Sequence, residues 1–434
     1  MTDARKKFSA DVVWNVGSLA VLGVSGILLN VLIGRCYDEA ALGVFNQALA
    51  AYIFFSQLAV GGINASTLRA IAEDQGNAKR IASVVLGAYA PTLVLAALTT
   101  VFLWFARHAI AAWLDSPATA EGIAAITPGL FFFALNKVGM AVANGRQRMR
   151  AFAVYTALRY ALILVALVGF LQFDPAREHG NELAFVFSFS EGLLFLVLLV
   201  EVVPVLRAGG GEPWRGWARE HLRYGVKSAA SGVLLELNAR VDVLMIGHFM
   251  ADRFVGIYTV AAMIAEGVYQ LLVVLQNLYN PILARELAAK RFDALLVAVK
   301  KGRRLTYAAM VVVGAIAALV YPYAVEFVFA PPPGTVAPAG DPGFAASWVP
   351  FCWLMLGIVL ASGYIPFAQT LLMANQPGWH TVYMVLTVLF NATGNWFLIP
   401  IWGLPGAAIS TASSMFLSVF VLKALVRART GLKL

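Results

Sequence analysis

Seven ionisable side chains lie well inside long apolar stretches of the sequence. Three are cations and four are carboxylic acids: Lys137, Arg159, Arg240, Glu191, Glu236, Asp242 and Glu266. A charge at the centre of a bilayer costs at least about 2.5 to 3.5 kcal/mol on insertion scales. Such side chains normally face a protein interior or a water-filled cavity. These seven residues are therefore the first candidates for function.

Two of the cations, Lys137 and Arg159, lie at similar depth in neighbouring apolar stretches. Each is seven to nine residues from the end of its stretch, which is roughly 10 to 13 Å along a helix. Two unpaired cations at one level could bind an anionic headgroup, and Arg240 is a third candidate. The alternative is structural: Lys137 extends its ammonium group to the membrane surface, and Arg159 caps helix carbonyls.

The four acids are candidates for coupling to a cation or a proton, or are protonated groups without a role. Glu236 and Arg240 are four residues apart, a spacing that brings side chains together on one helical face. A structural ion pair is therefore an alternative for both. Asp242 is six residues from Glu236 and points about 120° away on a helix, so it is available for another role.

The composition excludes a soluble protein. The chain has 434 residues, of which 60% are hydrophobic and 13% charged, whereas a soluble domain has roughly 25% charged residues. A spanning helix needs about 20 residues, so twelve crossings would use roughly 240 and leave no room for a sizeable soluble domain. We expect an all-α polytopic membrane protein with about twelve transmembrane helices.

Apolar runs of spanning length can be placed along the whole chain. They are Val12 to Ile33, Leu42 to Leu68, Ile81 to Phe105, Ile123 to Ala143, Ala151 to Leu171, Leu183 to Val203, Val226 to Gly247, Val255 to Leu283, Leu305 to Phe329, Trp348 to Met373, Val382 to Ile401 and Leu404 to Leu425. No small-residue cleavage site separates the first run from the second, so we expect a retained helix and not a signal peptide.

The basic residues follow the alternation of the predicted connections. The formal net charge is +9, from 32 Lys and Arg against 23 Asp and Glu. Outside the spans, 25 basic residues fall on the side of the amino terminus and four on the other side. By the positive-inside rule, this bias places both termini in the cytoplasm. Because the charges do not form one patch, nucleic acid is not an expected partner.

The two halves of the sequence are related by an internal repeat. A shift of 213 residues superposes the first two runs on the seventh and eighth without a gap. Polar and glycine residues coincide inside these spans, including Gly43 with Gly256, Gln57 with Gln270, and Asn64 with Asn277. The paired glutamines and asparagines are candidates to line a polar cavity, although hydrogen bonds between helices explain them equally well.

The repeat predicts the domain organisation. Since its copies begin six spans apart, both halves cross the membrane in the same sense, which gives a parallel repeat. We predict a first lobe of six helices over residues 1–206, a cytoplasmic connector over 207–223 and a second lobe of six helices over 224–434. Folds of this kind bind substrate at the repeat interface and rock one half against the other. The repeat therefore favours transport by alternating access.

Signatures of other chemistries are missing from the sequence. No Walker-type phosphate loop is present, which argues against ATP hydrolysis. The five His and two Cys residues show no metal-ligand spacing, so we expect no metal and no other cofactor. The longest outward loop, about Ala330 to Ser347, contains no Lys, Arg or His. A membrane polymerase or ligase acting on lipid-linked sugars would be expected to carry a better equipped loop, so an enzyme is not expected.

Two stretches resemble the Wzx-like polysaccharide and O-antigen flippases of the multidrug/oligosaccharidyl-lipid/polysaccharide exporter superfamily. Residues Arg240 to Gly247, followed by Val255 to Tyr258, are similar to the family pattern VDxLxIG…xGxY. Residues Asn395 to Thr411 are similar to its pattern NxxLIPxxGxxGAAxxT. The two glycines of the second pattern would permit a tight turn and close packing between the last two spans.

The resemblance implies a function and a location. It implies flipping of undecaprenyl-diphosphate-linked oligosaccharide units from the cytoplasmic to the outer leaflet of the bacterial inner membrane. The products would be glycans such as O-antigen of lipopolysaccharide or exopolysaccharide. Membrane lipids and the polysaccharide polymerase machinery are further expected partners. Drug or cation antiporters of the same superfamily share the twelve-span plan and remain the alternative, and the sequence names neither the sugar nor the coupling ion.

Overall fold

A computed structural model describes residues 3–74, 76–289, 292–329 and 342–432, and within these ranges the chain is helical without strands. Its helices are α1 (Asp3–Cys36), α2 (Glu39–Val60), α3 (Ile63–Glu73), α4 (Ala78–Trp113), α5 (Pro117–Gly145), α6 (Met149–Phe173), α7 (Phe185–Arg207), α8 (Trp214–Phe249), α9 (Asp252–Ala288), α10 (Phe292–Val328), α11 (Trp348–Ala361), α12 (Thr370–Met373), α13 (Pro377–Trp402) and α14 (Leu404–Thr430). Residues 330–341 of the predicted outward loop lie outside the described ranges.

The all-helical membrane fold is confirmed. In the described part of the chain, eleven helices are long and apolar enough to cross a membrane. They contain every predicted run except the seventh, Val226 to Gly247. That run lies within α8, whose first ten residues, Trp214–Arg223, are polar or aromatic and lower its mean hydropathy.

The second predicted run is divided into two helices. Leu42 to Leu68 was expected to be continuous, but α2 ends at Val60 and α3 begins at Ile63. Between them Gly61 and Gly62 have φ of +54° and +68°, a region that glycine adopts without steric cost. The glycine pair therefore explains the break, which the apolar pattern alone does not show.

The tenth predicted run is also broken. Trp348 to Met373 was expected to be one helix, but α11 ends at Ala361, a 3-10 turn covers Ile365–Phe367, and the short α12 follows. Pro366 in the turn has no N–H to donate. The exposed backbone is satisfied from α9: Gln276 Nε2 donates to the Ile365 carbonyl at 2.9 Å. Irregular backbone at membrane depth is tolerated where protein groups bond it in this way.

The described chain forms two compact units. The first contains Met1–Tyr37 and Val44–Glu236, and the second contains Asp38–Gly43 and Leu237–Leu434. Residues 207–223, predicted as a connector, belong to the first unit, where α8 begins at Trp214. The division of α8 between the units places Glu236 in the first and Arg240 and Asp242 in the second.

In the first unit, the start of α8 is fixed on α3 and α4. The side chain of His221 is fully buried, and its ring nitrogens lie 2.8 Å from Ser66 Oγ and 3.2 Å from the Val84 carbonyl. Burial lowers the pKa of His221, so the ring is neutral at pH 7. Gly87 of α4 allows the close approach, because a Cβ there would lie 2.6 Å from Trp217 Cβ.

The loop after α6 is organised by Asp174. Its Oδ2 accepts hydrogen bonds from the Tyr37 hydroxyl at 2.8 Å and from the His179 backbone N–H at 3.0 Å. Burial alone would raise the pKa of this carboxyl, but these hydrogen bonds outweigh it and hold the pKa well below its usual range. Asp174 is therefore a structural anion and not a candidate for proton coupling.

In the second unit, the starts of α2 and α9 cross at a pair of glycines related by the repeat. A Cβ on Gly43 would clash with the Asp252 carbonyl oxygen, and a Cβ on Gly256 would clash with the Glu39 carbonyl oxygen. Glu39 and Asp252 are also 213 residues apart. The contact is therefore reciprocal, and both helices need glycine because backbone lies against backbone.

Candidate functional site

A polar cluster surrounds Asp242 in the second unit. Its Oδ1 accepts hydrogen bonds from Asn391 Nδ2 at 3.0 Å and Asn395 Nδ2 at 2.7 Å. Its Oδ2 accepts from the Tyr258 hydroxyl at 2.8 Å and the Thr411 hydroxyl at 2.6 Å. The carboxylate thus joins four helices, α8, α9, α13 and α14. We call these five residues the Asp242 cluster.

Local sequence explains how α13 and α14 present their polar groups to Asp242. Asn391 and Asn395 are one helical turn apart and lie on the same face of α13. A Cβ on Gly394 would clash with Ser410 Oγ, and a Cβ on Gly406 would clash with the Leu398 carbonyl oxygen. The two glycines therefore allow α13 and α14 to pack closely enough for their side chains to share one carboxylate.

The electrostatics of the cluster favour a cation or a proton. Among the residues that the structure describes, Asp242 forms no ion pair, and its four hydrogen-bond donors are neutral. The Asn395 Oδ1 atom is buried and has no hydrogen-bond partner. An uncompensated carboxylate beside an unused amide oxygen presents the oxygen ligands that hard cations prefer, and it could alternatively be protonated.

The Asp242 cluster belongs to one half of the repeat. The residues that stand 213 positions before Asp242 and Tyr258 are Leu29 and Phe45. Neither can accept or donate a hydrogen bond through its side chain. The first copy of the repeat therefore has no equivalent of this carboxylate and its phenol.

In the first unit, Arg159 and Glu191 form a buried ion pair. Arg159 Nε lies 2.8 Å from Glu191 Oε1, and the side chains are 8% and 1% exposed. Arg159 Nη2 donates to Glu191 Oε2 at 3.1 Å, and Asn136 Nδ2 donates to the same oxygen at 2.8 Å. The expectation that Arg159 is unpaired is therefore wrong: a carboxylate 32 residues later neutralises it.

Lys137 remains a cation without an acidic partner. Among the described residues no carboxylate lies within ion-pair distance of its ammonium group. Its Nζ is 5.2 Å from the centroid of the Phe133 ring, and Arg159 Cζ is 4.8 Å from the same centroid. The two cations therefore lie near one level, as predicted. Glu236 acts on Lys137 electrostatically, without direct contact.

The remaining candidates have fewer contacts. Arg240 forms no ion pair with any described carboxylate, so the alternative of a pair with Glu236 is not realised, and its Nε is buried without a hydrogen-bond partner. Glu266 is exposed and makes no hydrogen bond within the described ranges. The same holds for four side chains, half-buried or exposed: Gln57, Asn64, Gln270 and Asn277.

Polar residues that the sequence reasoning missed stand beside the predicted ones. Gln276 and Asn280 of α9 bond the broken tenth run, through the Ile365 carbonyl and through Gln369 Oε1 at 2.8 Å. Their four-residue spacing on one helical face was the available signal. Asn391 gave no signal of its own, because it lies outside the patterns that carried the family resemblance.

Removing one partner of the Arg159–Glu191 pair should strongly destabilise the protein. Replacing Glu191 by Ala leaves a buried guanidinium unpaired, which typically costs about 3 to 5 kcal/mol. The double variant R159M/E191L should lose much less stability, because no charge is left uncompensated. Thermal unfolding of the purified protein measures both.

The matched control is the exposed pair of Arg69 and Glu73, whose side chains are 65% and 51% exposed. Replacing Glu73 by Ala should cost less than about 1 kcal/mol. Equal losses from Glu191→Ala and Glu73→Ala would contradict the buried-pair interpretation.

Comparison with known families gives one match. The family model described as "Polysaccharide biosynthesis protein" matches residues 12–287. No curated protein sequence matches the chain.

Several solved structures share the fold. The lipid II flippase MurJ in an inward closed conformation is 12% identical with a TM-score of 0.75, over 96% of this chain and 87% of that chain. An inward-facing multidrug resistance MATE family transporter of the MOP superfamily is 14% identical with a TM-score of 0.71, over 94% and 98%. A mutant of the Vibrio cholerae MATE transporter VcmN is 13% identical with a TM-score of 0.63, over 98% and 97%. At these identities the likeness shows a common fold.

Proposed function

The chain belongs to the polysaccharide biosynthesis protein family, and from this premise we propose that it flips a lipid-diphosphate-linked oligosaccharide from the cytoplasmic to the outer leaflet. The observation that carries the proposal is Lys137, a cation deep in a spanning helix with no described acidic partner. Such a residue in a membrane is expected to serve a ligand, because its insertion is costly.

The chemistry of this substrate class matches that cation. A sugar diphosphate on a lipid has an anionic, hydrated head that cannot cross hydrocarbon unaided. The ammonium group of Lys137 is a compact point charge that can bind a phosphate. Arg159 can contribute through its guanidinium edge only while it remains paired with Glu191. Arg240, with its buried and unpartnered Nε, is the headgroup candidate of the second unit.

The Asp242 cluster supplies the proposed coupling. Binding or release of a cation or proton changes the charge of a carboxylate that holds four helices together. A change in charge alters the strength of each of these hydrogen bonds. The cluster can therefore link occupancy by an ion to the packing of α8, α9, α13 and α14, which alternating access requires. Glu191, held by Arg159, and Glu266, exposed, are weaker coupling candidates.

The second candidate function is a drug or cation antiporter, and the structural likeness to multidrug MATE transporters favours it. Either function could use the Asp242 cluster, so the substrate decides between them. Deletion of the gene should abolish a surface glycan under the flippase proposal. Loss of resistance to cationic drugs with an intact glycan would instead support the antiporter. Covalent change of the glycan by the purified protein would indicate an enzyme.

The proposal includes a location and partners. We place the protein in the bacterial inner membrane with both termini cytoplasmic, because the basic residues concentrate on that side of the predicted topology. Its product would serve a polysaccharide polymerase in assembling O-antigen or exopolysaccharide.

Replacing Lys137 by Ala is expected to reduce flipping at least tenfold. The loss of one phosphate-binding cation removes a charge-assisted contact, whereas Lys137→Arg should retain most activity because the charge remains. The measurement is flipping of a fluorescent lipid-diphosphate-linked oligosaccharide in proteoliposomes, with export of surface glycan as the cellular assay.

Lys79→Ala is the matched control, since Lys79 is exposed at the start of α4. It should flip at the wild-type rate. A wild-type rate in folded Lys137→Ala protein would refute the role of Lys137.

A further inference from the structure

Two cations of the second unit face one buried aromatic ring near the end of the unit that holds the carboxyl terminus. Arg303 Cζ lies 4.7 Å and Lys423 Nζ 5.2 Å from the centroid of the Tyr364 ring. Since both distances are measured to one centroid, the two cationic centres are less than about 10 Å apart. Tyr364 is 7% exposed. We call Arg303, Tyr364 and Lys423 the Tyr364 triad.

The broken tenth run places this triad. Tyr364 follows the end of α11, and its backbone N–H donates to the Ala361 carbonyl at 2.8 Å. The preceding residue must be small, because a Cβ on Gly363 would lie 2.7 Å from Arg303 Cγ and would clash with the Tyr307 ring. The Tyr307 hydroxyl donates to the Leu360 carbonyl at 3.1 Å. The turn is therefore held against α10 at the level of Arg303.

The charges of the triad are not neutralised by the protein. Within the described part of the chain, neither Arg303 nor Lys423 has a carboxylate within ion-pair distance. The Phe133 ring of the first unit also faces two cations, but there Glu191 pairs with one of them. An aromatic face attracts a cation, yet it offsets only part of the repulsion between two like charges. An anion between them would remove that repulsion.

The depth of the triad fits a lipid phosphate. Lys423 is seven residues before the end of α14, and Arg303 is four residues after the start of the candidate span Val299–Val328. Both are therefore roughly 6 to 10 Å along their helices from the ends. Arg429 stacks on Trp379 at 3.6 Å nearer the same end of α14, an arrangement typical of the membrane interface. The predicted topology puts this end on the cytoplasmic side.

From this geometry we propose that the Tyr364 triad is a second phosphate-binding site, which receives the diphosphate of the lipid-linked substrate at the cytoplasmic surface before transport. The planar guanidinium of Arg303 can bind one phosphoryl group through two hydrogen bonds, and the ammonium of Lys423 can bind the other. The identity of the lipid rests on the proposed flippase function. The presence of a phosphate site rests on the triad alone.

The test measures binding of a prenyl diphosphate to the full-length protein in detergent, without any transport step. Arg303→Ala and Lys423→Ala should each weaken binding about tenfold, and the double variant more, because each removes one charged contact. Arg303→Lys and Lys423→Arg should bind within about threefold of wild type. Arg303→Gln and Lys423→Gln keep the length of the side chain and replace the alanine variants if those do not fold.

Matched controls separate the triad from general charge effects. Arg304 neighbours Arg303 on α10 but is exposed, so Arg304→Ala should bind as wild type. Equal weakening by Arg304→Ala, or unchanged binding in the double variant, would overturn the site. Inorganic phosphate and vesicles containing phosphatidylglycerol distinguish the sources of the phosphate group. Equal competition by either would overturn the assignment to the substrate diphosphate.

Failure of this inference is distinguishable from failure of the proposed function. Lys137→Ala should keep prenyl diphosphate binding at the triad while losing flipping. If flipping is absent in the wild type but binding depends on Arg303 and Lys423, the site stands and the function fails. If flipping occurs and the double variant binds and flips as wild type, the function stands and the site fails.

Discussion

Replacing Asp242 by Asn is expected to reduce transport at least a hundredfold while the protein remains folded and inserted. The amide has nearly the same shape, and the hydroxyls of Tyr258 and Thr411 can rotate to accept from it where they donated before. The cluster therefore keeps hydrogen bonds but loses the group whose charge changes. The measurement is flipping in proteoliposomes under an imposed cation or pH gradient, with the melting temperature of the purified protein as the check on folding.

Glu266→Gln is the matched control, because Glu266 is another acid within a spanning helix but is exposed and without a described hydrogen bond. It should transport within about twofold of wild type. A larger defect from Glu266→Gln than from Asp242→Asn would move the coupling role to α9. Gradient-dependent transport at the wild-type rate in Asp242→Asn would remove Asp242 from the mechanism.

Replacing either glycine of the α2–α9 crossing by Ala is expected to destabilise the protein severely. A Cβ at Gly43 or Gly256 would clash with a carbonyl oxygen of the other helix. Neither backbone can move without displacing its own hydrogen-bonded turns. Overpacking typically costs about 1 to 3 kcal/mol, and backbone against backbone should put these variants at or above the upper end. The melting temperature and the yield of inserted protein measure the effect.

Gly267 of α9 provides the matched control, because a Cβ there would meet nothing within 4 Å. Gly267→Ala should leave stability unchanged or slightly higher, since alanine favours the helix. The double variant G43A/G256A should lose less than the sum of the two single losses, because one shift of the helices relieves both clashes. Wild-type stability in Gly256→Ala would show that the crossing tolerates a side chain.

Much of the fold could be predicted from the sequence. A run of about 20 apolar residues has few alternatives to a spanning helix, so the all-helical membrane fold was predicted correctly. The resemblance to polysaccharide flippases of the exporter superfamily is confirmed by the family match and by the shared fold. The breaks at Gly61 and Ala361 were not predicted, because hydropathy does not report backbone angles or the close approach of neighbouring helices.

The candidate site was predicted one side chain at a time, and its pairings were not. Asp242 and Lys137 stood out because a charge in an apolar run is costly. The partners of Asp242 on α13 and α14 lie some 150 residues away or more in sequence, and neither helical spacing nor composition links them. The same separation in kind concealed the pairing of Arg159 with Glu191, on two different helices.

The internal repeat directed attention to positions that its two copies share. Gln57, Asn64 and their counterparts were chosen on that ground, and the structure gives their side chains no described hydrogen bond. Their role in lining a cavity stays a prediction. The densest polar cluster lies instead where the copies differ, at Asp242 opposite Leu29 in the alignment of the repeats. Matching residues in a repeat report common architecture, whereas a task carried out by one copy is marked by mismatch.

The presence of the carboxylate in a single copy limits the energetics of the cycle. A symmetric ancestor with two equal halves would carry this acid twice or not at all, while the present chain carries it once. Coupling through this position therefore has a stoichiometry of one monovalent ion per turnover. The membrane potential can then contribute at most one elementary charge, about 2.3 kcal/mol for each 100 mV. That limits the gradient of substrate that the ion at Asp242 can sustain to roughly fiftyfold per 100 mV at 25 °C.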